Sequence, residues 1–151
     1  MIKKVFFLFC ICFCSLITYA INKPIYSVED TWIVGHNLKN FNNRPLYINN
    51  TNGFILADDK PVMRLCRGGE IYGTLSFNFM DMSGTYQLHE FSEIKSMYKN
   101  GHMKWVIEDN RKVGLQIQLE VVPDVGEMGM VVKVKIKGAK SEDQLSWTWN
   151  G

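Results

Sequence analysis

The sequence predicts an all-β protein, an antiparallel β-sandwich of two sheets that follows an N-terminal signal peptide. Apolar and polar residues alternate along most of the chain, turn-forming residues separate the alternating runs, and helical periodicity is nearly absent. Alternation with period two gives a strand one apolar and one polar face. Such strands, separated by turns about every 8–12 residues, are typical of a sandwich whose sheets each bury one side.

The strongest alternation lies at residues 71–79, 113–121 and 132–137. In the last of these, Val132, Val134 and Ile136 alternate with three lysines. An Asn100-Gly101 pair predicts a tight hairpin, because these residues accept the positive φ angles of such turns. The predicted strands occupy residues 32–34, 54–57, 62–66, 71–79, 94–98, 103–107, 113–121, 132–137 and 145–149. An asparagine-rich stretch at 36–53 is expected to form a long irregular loop, and such loops are often functional.

The first twenty residues have the organisation of a cleaved secretory signal. Lys3 and Lys4 precede an apolar run at 5–17, and Thr18-Tyr19-Ala20 offers small residues where a signal peptidase cleaves. The run is shorter than the roughly 17–25 residues that span a bilayer as a helix. An uncleaved membrane anchor or buried helix is one alternative. A lipoprotein is the sharper one, since three cysteines lie in the run, but Cys14 follows Phe13 rather than a small residue. We therefore expect cleavage after Ala20, export from the cell and no stable membrane insertion.

Cleavage would leave a leader segment at 21–30 and a sandwich domain at 31–151. Cys66 would be the only remaining cysteine, which excludes an internal disulfide and favours a small buried apolar role. The formal charge would fall from +2 to zero with the loss of Lys3 and Lys4. Nucleic-acid binders carry a basic surface, so this balance argues against a nucleic-acid partner.

The sequence carries no recognisable catalytic or cofactor motif. His36, His89 and His102 are far apart and lack the local pairing of zinc ligands, so no metal site is predicted. Asp58 and Asp59 are interpreted as solvated turn residues rather than as the paired acids of a glycosidase. We predict no catalytic residue and no cofactor for this chain.

Aromatic and polar side chains provide the candidate ligand or domain-interface sites. Trp147 and Trp149 lie on one strand face with Leu145, so a core position is favoured, with a sugar-stacking platform as the alternative. Trp105, between Met103 and Ile107, is expected in the core. In the asparagine-rich loop, the guanidinium of Arg44 either contacts a ligand or pairs with an acid and braces the loop. The complete candidate set is Asn43, Arg44, Tyr47, Asn49, Asn50, Trp147 and Trp149.

Three stretches of the sequence resemble a known family. The first is Asn43-Arg44-Pro45-Leu46-Tyr47-Ile48-Asn49-Asn50 followed by Gly53-Phe54-Ile55-Leu56-Ala57. The second holds Tyr98, Gly101, Met103 and Trp105, and the third is Leu145-Ser146-Trp147-Thr148-Trp149-Asn150-Gly151. Together they resemble the start of domain-of-unknown-function family 4450, over about residues 31–151. These are large exported proteins common in polysaccharide-degrading bacteria. The resemblance implies an N-terminal β-sandwich that precedes a catalytic α/α-toroid, and it supplies no catalytic residue within this region.

The predicted function is therefore that of a non-catalytic accessory sandwich in an exported, carbohydrate-active, glycoside hydrolase-like protein. The chain would be a fragment of a longer protein, with its sandwich unfinished at the carboxyl end, and a downstream domain and a glycan would be its partners. A free-standing carbohydrate-binding module and a glycan-active enzyme are the alternatives.

Overall fold

Two antiparallel β-sheets packed face to face make up the described part of the protein, as the alternating sequence predicts. The computed structural model describes residues 25–38, 44–48, 53–124, 126 and 128–151. The strands are β1 (Tyr26–Glu29), β2 (Trp32–His36), β3 (Arg44–Tyr47), β4 (Gly53–Ala57), β5 (Met63–Arg67), β6 (Glu70–Asp81), β7 (Gly84–Gln87), β8 (Glu93–Lys99), β9 (His102–Glu108), β10 (Gln116–Pro123), β11 (Met130–Lys137) and β12 (Gln144–Asn150). A 3-10 turn at Leu88–Glu90 joins β7 to β8.

The order of the strands defines the edges of the two sheets. The first sheet runs β1-β2-β8-β9-β10-β11, and the second runs β12-β6-β5-β4-β3, with β7 added beside β6. Within the described part of the chain, β11 therefore ends one sheet and β12 ends the other. These two strands lie on the same side of the sandwich, where residues of both line one cleft.

The core is formed by the apolar residues that alternate with polar ones along the strands. On β10, Ile117, Leu119 and Val121 are fully buried, while the residues between them face outward. The second sheet contributes Phe77 and Phe79 of β6. Trp105 is fully buried, as predicted, and its indole N–H donates to the backbone carbonyls of Asp58 and Asp59 at 3.0 and 3.1 Å. This satisfies the one polar atom of the largest core side chain.

Four local features differ from the sequence prediction. Tyr26–Glu29, assigned to a leader, forms β1 and pairs with β2. The predicted irregular loop contains β3, which pairs with β4. β7 was not predicted, because its four residues carry little apolar signal. The predicted strand start at residue 113 is wrong: a turn with Gly114 at positive φ precedes Gln116, and Val113 is exposed.

Candidate functional site

The predicted binding loop is only partly within the described residues, since Asn43, Asn49 and Asn50 lie outside them. Arg44 braces the fold, which was one of its two predicted roles. Its Nη2 donates to Asp59 Oδ1 at 3.1 Å, and its guanidinium lies 4.5 Å from the centre of the Tyr26 ring. Tyr47 is exposed, and its ring contacts Phe54.

Asp59 holds the two sheets together through a polar network that comprises Tyr26, Arg44, Asp59 and Ser96. The Tyr26 hydroxyl donates to Asp59 Oδ2 at 2.6 Å, and the Ser96 hydroxyl donates to Oδ1 at 3.0 Å. Tyr26 and Ser96 belong to the first sheet, whereas Arg44 and the turn that carries Asp59 belong to the second. A single buried carboxylate therefore accepts hydrogen bonds from both layers.

The prediction that Asp58 and Asp59 are solvated turn acids is wrong, because both are buried. Arg64 Nη2 donates to Asp58 Oδ2 at 2.7 Å. Burial raises the pKa of Asp58, and the positive charge of Arg64 opposes that rise. Each acid thus has a cationic partner that offsets part of the cost of its lost hydration. Neither carboxylate is open to solvent, so the pair does not form the accessible acid pair of a glycosidase.

A serine and a lysine lie in contact in a surface cleft of about 350 Å³. Lys112 Nζ donates to Ser83 Oγ at 2.7 Å and also to Asp81. The hydrogen bond with Asp81 raises the pKa of Lys112 and lowers that of Asp81. Lys112 is therefore held as a cation and does not take the proton of Ser83, as a nucleophile's base must. The cluster braces the turn after β6.

The two C-terminal tryptophans are exposed, so the favoured prediction of a core position is wrong. The Trp147 side chain lies opposite Phe77, and Trp149 lies opposite Leu75, so both indoles are on the inner face of the second sheet. Trp147 is nevertheless 67% exposed and Trp149 42% exposed. The reason is position: in the described residues no strand lies beyond β12 to cover that face.

The first sheet has the same feature at its own edge. Val134 pairs with Leu119 and Ile136 pairs with Ile117, so all four point toward the inside of the sandwich. Leu119 and Ile117 are fully buried, whereas Val134 and Ile136 are each 38% exposed. The inward-facing side chains therefore change from fully buried on β10 to partly exposed on β11, one strand spacing or about 4.8 Å away.

Between these two edges lies an apolar cleft of about 360 Å³. We call β11, β12 and this cleft the open edge. The residues that line the cleft are Leu75, Phe77, Met130, Val132, Val134 and Trp147. Every one is apolar, so the cleft suits an apolar side chain rather than a charged substrate.

A close approach of backbone and ring fixes Trp149 at the open edge. Its six-membered ring covers Gly73 of β6, and a Cβ at residue 73 would lie well inside van der Waals distance of that ring. Glycine at this strand position lets the indole lie flat on the neighbouring backbone. Trp149 is therefore held in place even though nearly half of its surface is exposed.

Three further sequence predictions concern Cys66, metal ligands and membrane-spanning segments. Cys66 is buried and free, as predicted. Among the residues that the structure describes, no group of three or more His, Cys, Asp or Glu side chains is arranged to hold a metal ion. No helix in the described ranges is long and apolar enough to cross a bilayer.

Comparisons with known proteins gave no match. No family model matches the sequence, and searches of curated proteins and of solved structures found no significant similarity. The resemblance to domain-of-unknown-function family 4450 therefore stays a prediction.

Proposed function

We propose that this chain is a non-catalytic accessory β-sandwich of an exported carbohydrate-active protein, and that it packs on another part of that protein through the open edge. The observation that carries the proposal is the exposure of side chains that belong to the inner faces of both sheets. Trp147, Val134 and Ile136 have the orientation of core residues without the cover of core residues.

Elementary energetics favours a protein partner for this edge. Burial of apolar surface is worth about 25 cal/mol per Å². Exposed apolar side chains that form one contiguous patch, rather than lying singly, are typical of an interaction surface. The two strands also leave one row of backbone N–H and C=O groups each without a described partner strand, and such rows attract further strands.

The ion pairing of the charged side chains favours a structural role over a catalytic one. The buried acids Asp58 and Asp59 are engaged by Arg64 and Arg44, and Lys112 is ion-paired with Asp81. The link to carbohydrate-active proteins rests on the sequence resemblance around residues 43–57 and 145–151, which implies a downstream catalytic toroid as the partner.

Site-specific photo-crosslinking in the producing bacterium tests the proposal. A benzoylphenylalanine at position 147 lies on the open edge, and the matched control at position 28 lies on exposed β1, at the far end of the first sheet. Position 147 should crosslink to the protein segment that covers the edge, and position 28 should not. Equal crosslinking at the two positions, or none at 147, would contradict the proposal.

A free-standing carbohydrate-binding module is the second candidate, and the exposure of both tryptophans favours it. Indoles two residues apart on one strand face can stack on successive sugar rings. Isothermal titration of the full chain against plant glycans separates the two functions. Tight binding that Trp147→Ala abolishes would establish the module, whereas the accessory role predicts no binding that depends on Trp147.

A further inference from the structure

We infer that the open edge accepts one particular kind of partner: an extended strand, apolar on one face and acidic on the other, that pairs with β11. This inference rests on the proposed function and deepens it, because it names the chemistry of the covering segment. The partner is a strand of another polypeptide segment rather than a second copy of this chain.

The inner face of β11 requires apolar side chains on one face of the partner strand. Val132 and Val134 line the cleft together with Trp147 of β12, and Ile136 follows them on the same face of β11. In a strand added beside β11, alternate side chains would enter the space between the two sheets. Apolar side chains there would extend the core by one strand and cover both Val134 and Trp147.

The outer face of β11 favours acidic side chains on the other face of the partner strand. Lys133, Lys135 and Lys137 are consecutive on this face. One cross-strand row already alternates in charge, since Lys104 of β9 lies beside Glu120 of β10, and Glu120 lies beside Lys133. The next position in that row is the one that an added strand would fill. A carboxylate there continues the alternation, and opposite charges across strands stabilise pairing.

The other two lysines point to the same partner. Lys135 pairs with Gln118, and Lys137 pairs with Gln116, so neither lysine has an acidic residue directly opposite it on β10. Carboxylates on the added strand would supply such a residue to both. An alternating strand with three acidic residues would therefore match the whole lysine row.

The same lysines disfavour a second copy of this chain. Pairing β11 with its own copy would set three lysines against three lysines, and like charges directly opposite each other destabilise a sheet. Lysines on an edge strand are a known device against self-pairing. β12 of a second copy would bring Ser146 and Thr148 on its polar face, which leaves the lysines unmatched.

A designed peptide tests the inference on the full-length protein. The probe is a capped eight-residue peptide that alternates valine and glutamate, and the matched control replaces each glutamate with lysine. We expect saturable binding of the glutamate peptide with a change in tryptophan emission, at least tenfold weaker binding of the lysine peptide, and weakening by salt. Equal binding of the two peptides would overturn the inference.

Paired variants locate the site. Lys135→Glu on β11 should reduce binding of the glutamate peptide at least tenfold, whereas Lys104→Glu, on the same face but two strands from the edge, should change it less than twofold. Two peptides N-methylated at alternate residues then test strand pairing. Only the peptide whose methyl groups point away from β11 should bind, because the other loses the hydrogen bonds of the ladder. Equal binding of both would exclude strand pairing.

The outcomes distinguish this inference from the function that it deepens. If the peptide fails to bind while position 147 still crosslinks to protein, the strand partner is wrong and the accessory function stands. If the peptide binds while position 147 crosslinks to nothing, the strand site stands without the accessory function. A dimer in sedimentation equilibrium that Trp147→Ala dissolves would overturn the inference in favour of a second copy.

Discussion

Arg44 and Asp59 form a largely buried ion pair that fastens β3 to the turn between β4 and β5, with Nη2 of Arg44 3.1 Å from Oδ1 of Asp59. The same carboxylate accepts hydrogen bonds from Tyr26 and Ser96 of the opposite sheet. The pair therefore supports a junction between the two layers.

Loss of Arg44 should destabilise the protein strongly. Arg44→Ala leaves Asp59 buried without its cation, and breaking a buried pair in this way costs roughly 3–5 kcal/mol. Urea denaturation followed by tryptophan emission measures the loss. The control is Arg67→Ala, an exposed arginine at the end of β5, which should stay within about 0.5 kcal/mol of the parent. A loss below about 1 kcal/mol for Arg44→Ala would show that the pair does not brace the fold.

Asp109 should make stability depend on pH in the acid range. Its hydrogen bonds from the Arg111 side chain lower its pKa to about 2 from an ordinary value of 3.8. A group whose pKa is lower in the folded state stabilises the fold above its unfolded pKa. That contribution is fully present above about pH 4 and is lost as the pH falls toward 2.

Asp109→Asn isolates this contribution. The variant should be less stable than the parent at pH 6, and the difference should shrink as the pH falls toward 2. Urea midpoints at several pH values measure it. Asp30→Asn is the control, because Asp30 is exposed in a turn at positive φ, which asparagine tolerates. A constant difference for Asp109→Asn across the range would contradict the prediction.

The sequence predicts faces correctly, because alternation depends only on neighbouring residues. Trp105 and Trp147 both lie in alternating apolar runs, and both point toward the interior of the sandwich. Trp105 is fully buried and Trp147 is largely exposed, since β9 lies inside its sheet and β12 lies at an edge. Strand order is a long-range property that a local pattern does not carry.

The polar network was missed for a related reason. Aspartates in a turn signal usually face solvent, and local composition predicts that for Asp58 and Asp59. Their burial depends on partners distant in the chain: Tyr26 is 33 residues from Asp59, and Ser96 is 37. The only local signal was Arg44, for which an acidic partner was one of the two predicted roles.

Gly73 and Trp149 should be energetically coupled. Gly73→Ala places a methyl group where the Trp149 ring lies, so the ring must move, at a cost of about 1–3 kcal/mol. In a Trp149→Ala background the same substitution should cost less than about 0.5 kcal/mol, because the space is then free. A double-mutant cycle of urea midpoints measures the coupling. Equal costs in both backgrounds would show that Trp149 is not held on Gly73.

The N-terminal prediction lies outside the described residues and has its own test. If residues 1–20 are a cleaved signal, protein recovered from the exported fraction should begin at Ile21. Intact-mass spectrometry and N-terminal sequencing measure this directly.

Ala20→Arg places a bulky charged residue where the peptidase requires a small one, so the variant should stay unprocessed and membrane-associated. The control Ile21→Val, just past the cleavage site, should be processed normally. Recovery of the parent chain with Met1 intact from the soluble cell fraction would contradict export through this segment. A lipid-modified cysteine at position 10, 12 or 14 would contradict cleavage after Ala20.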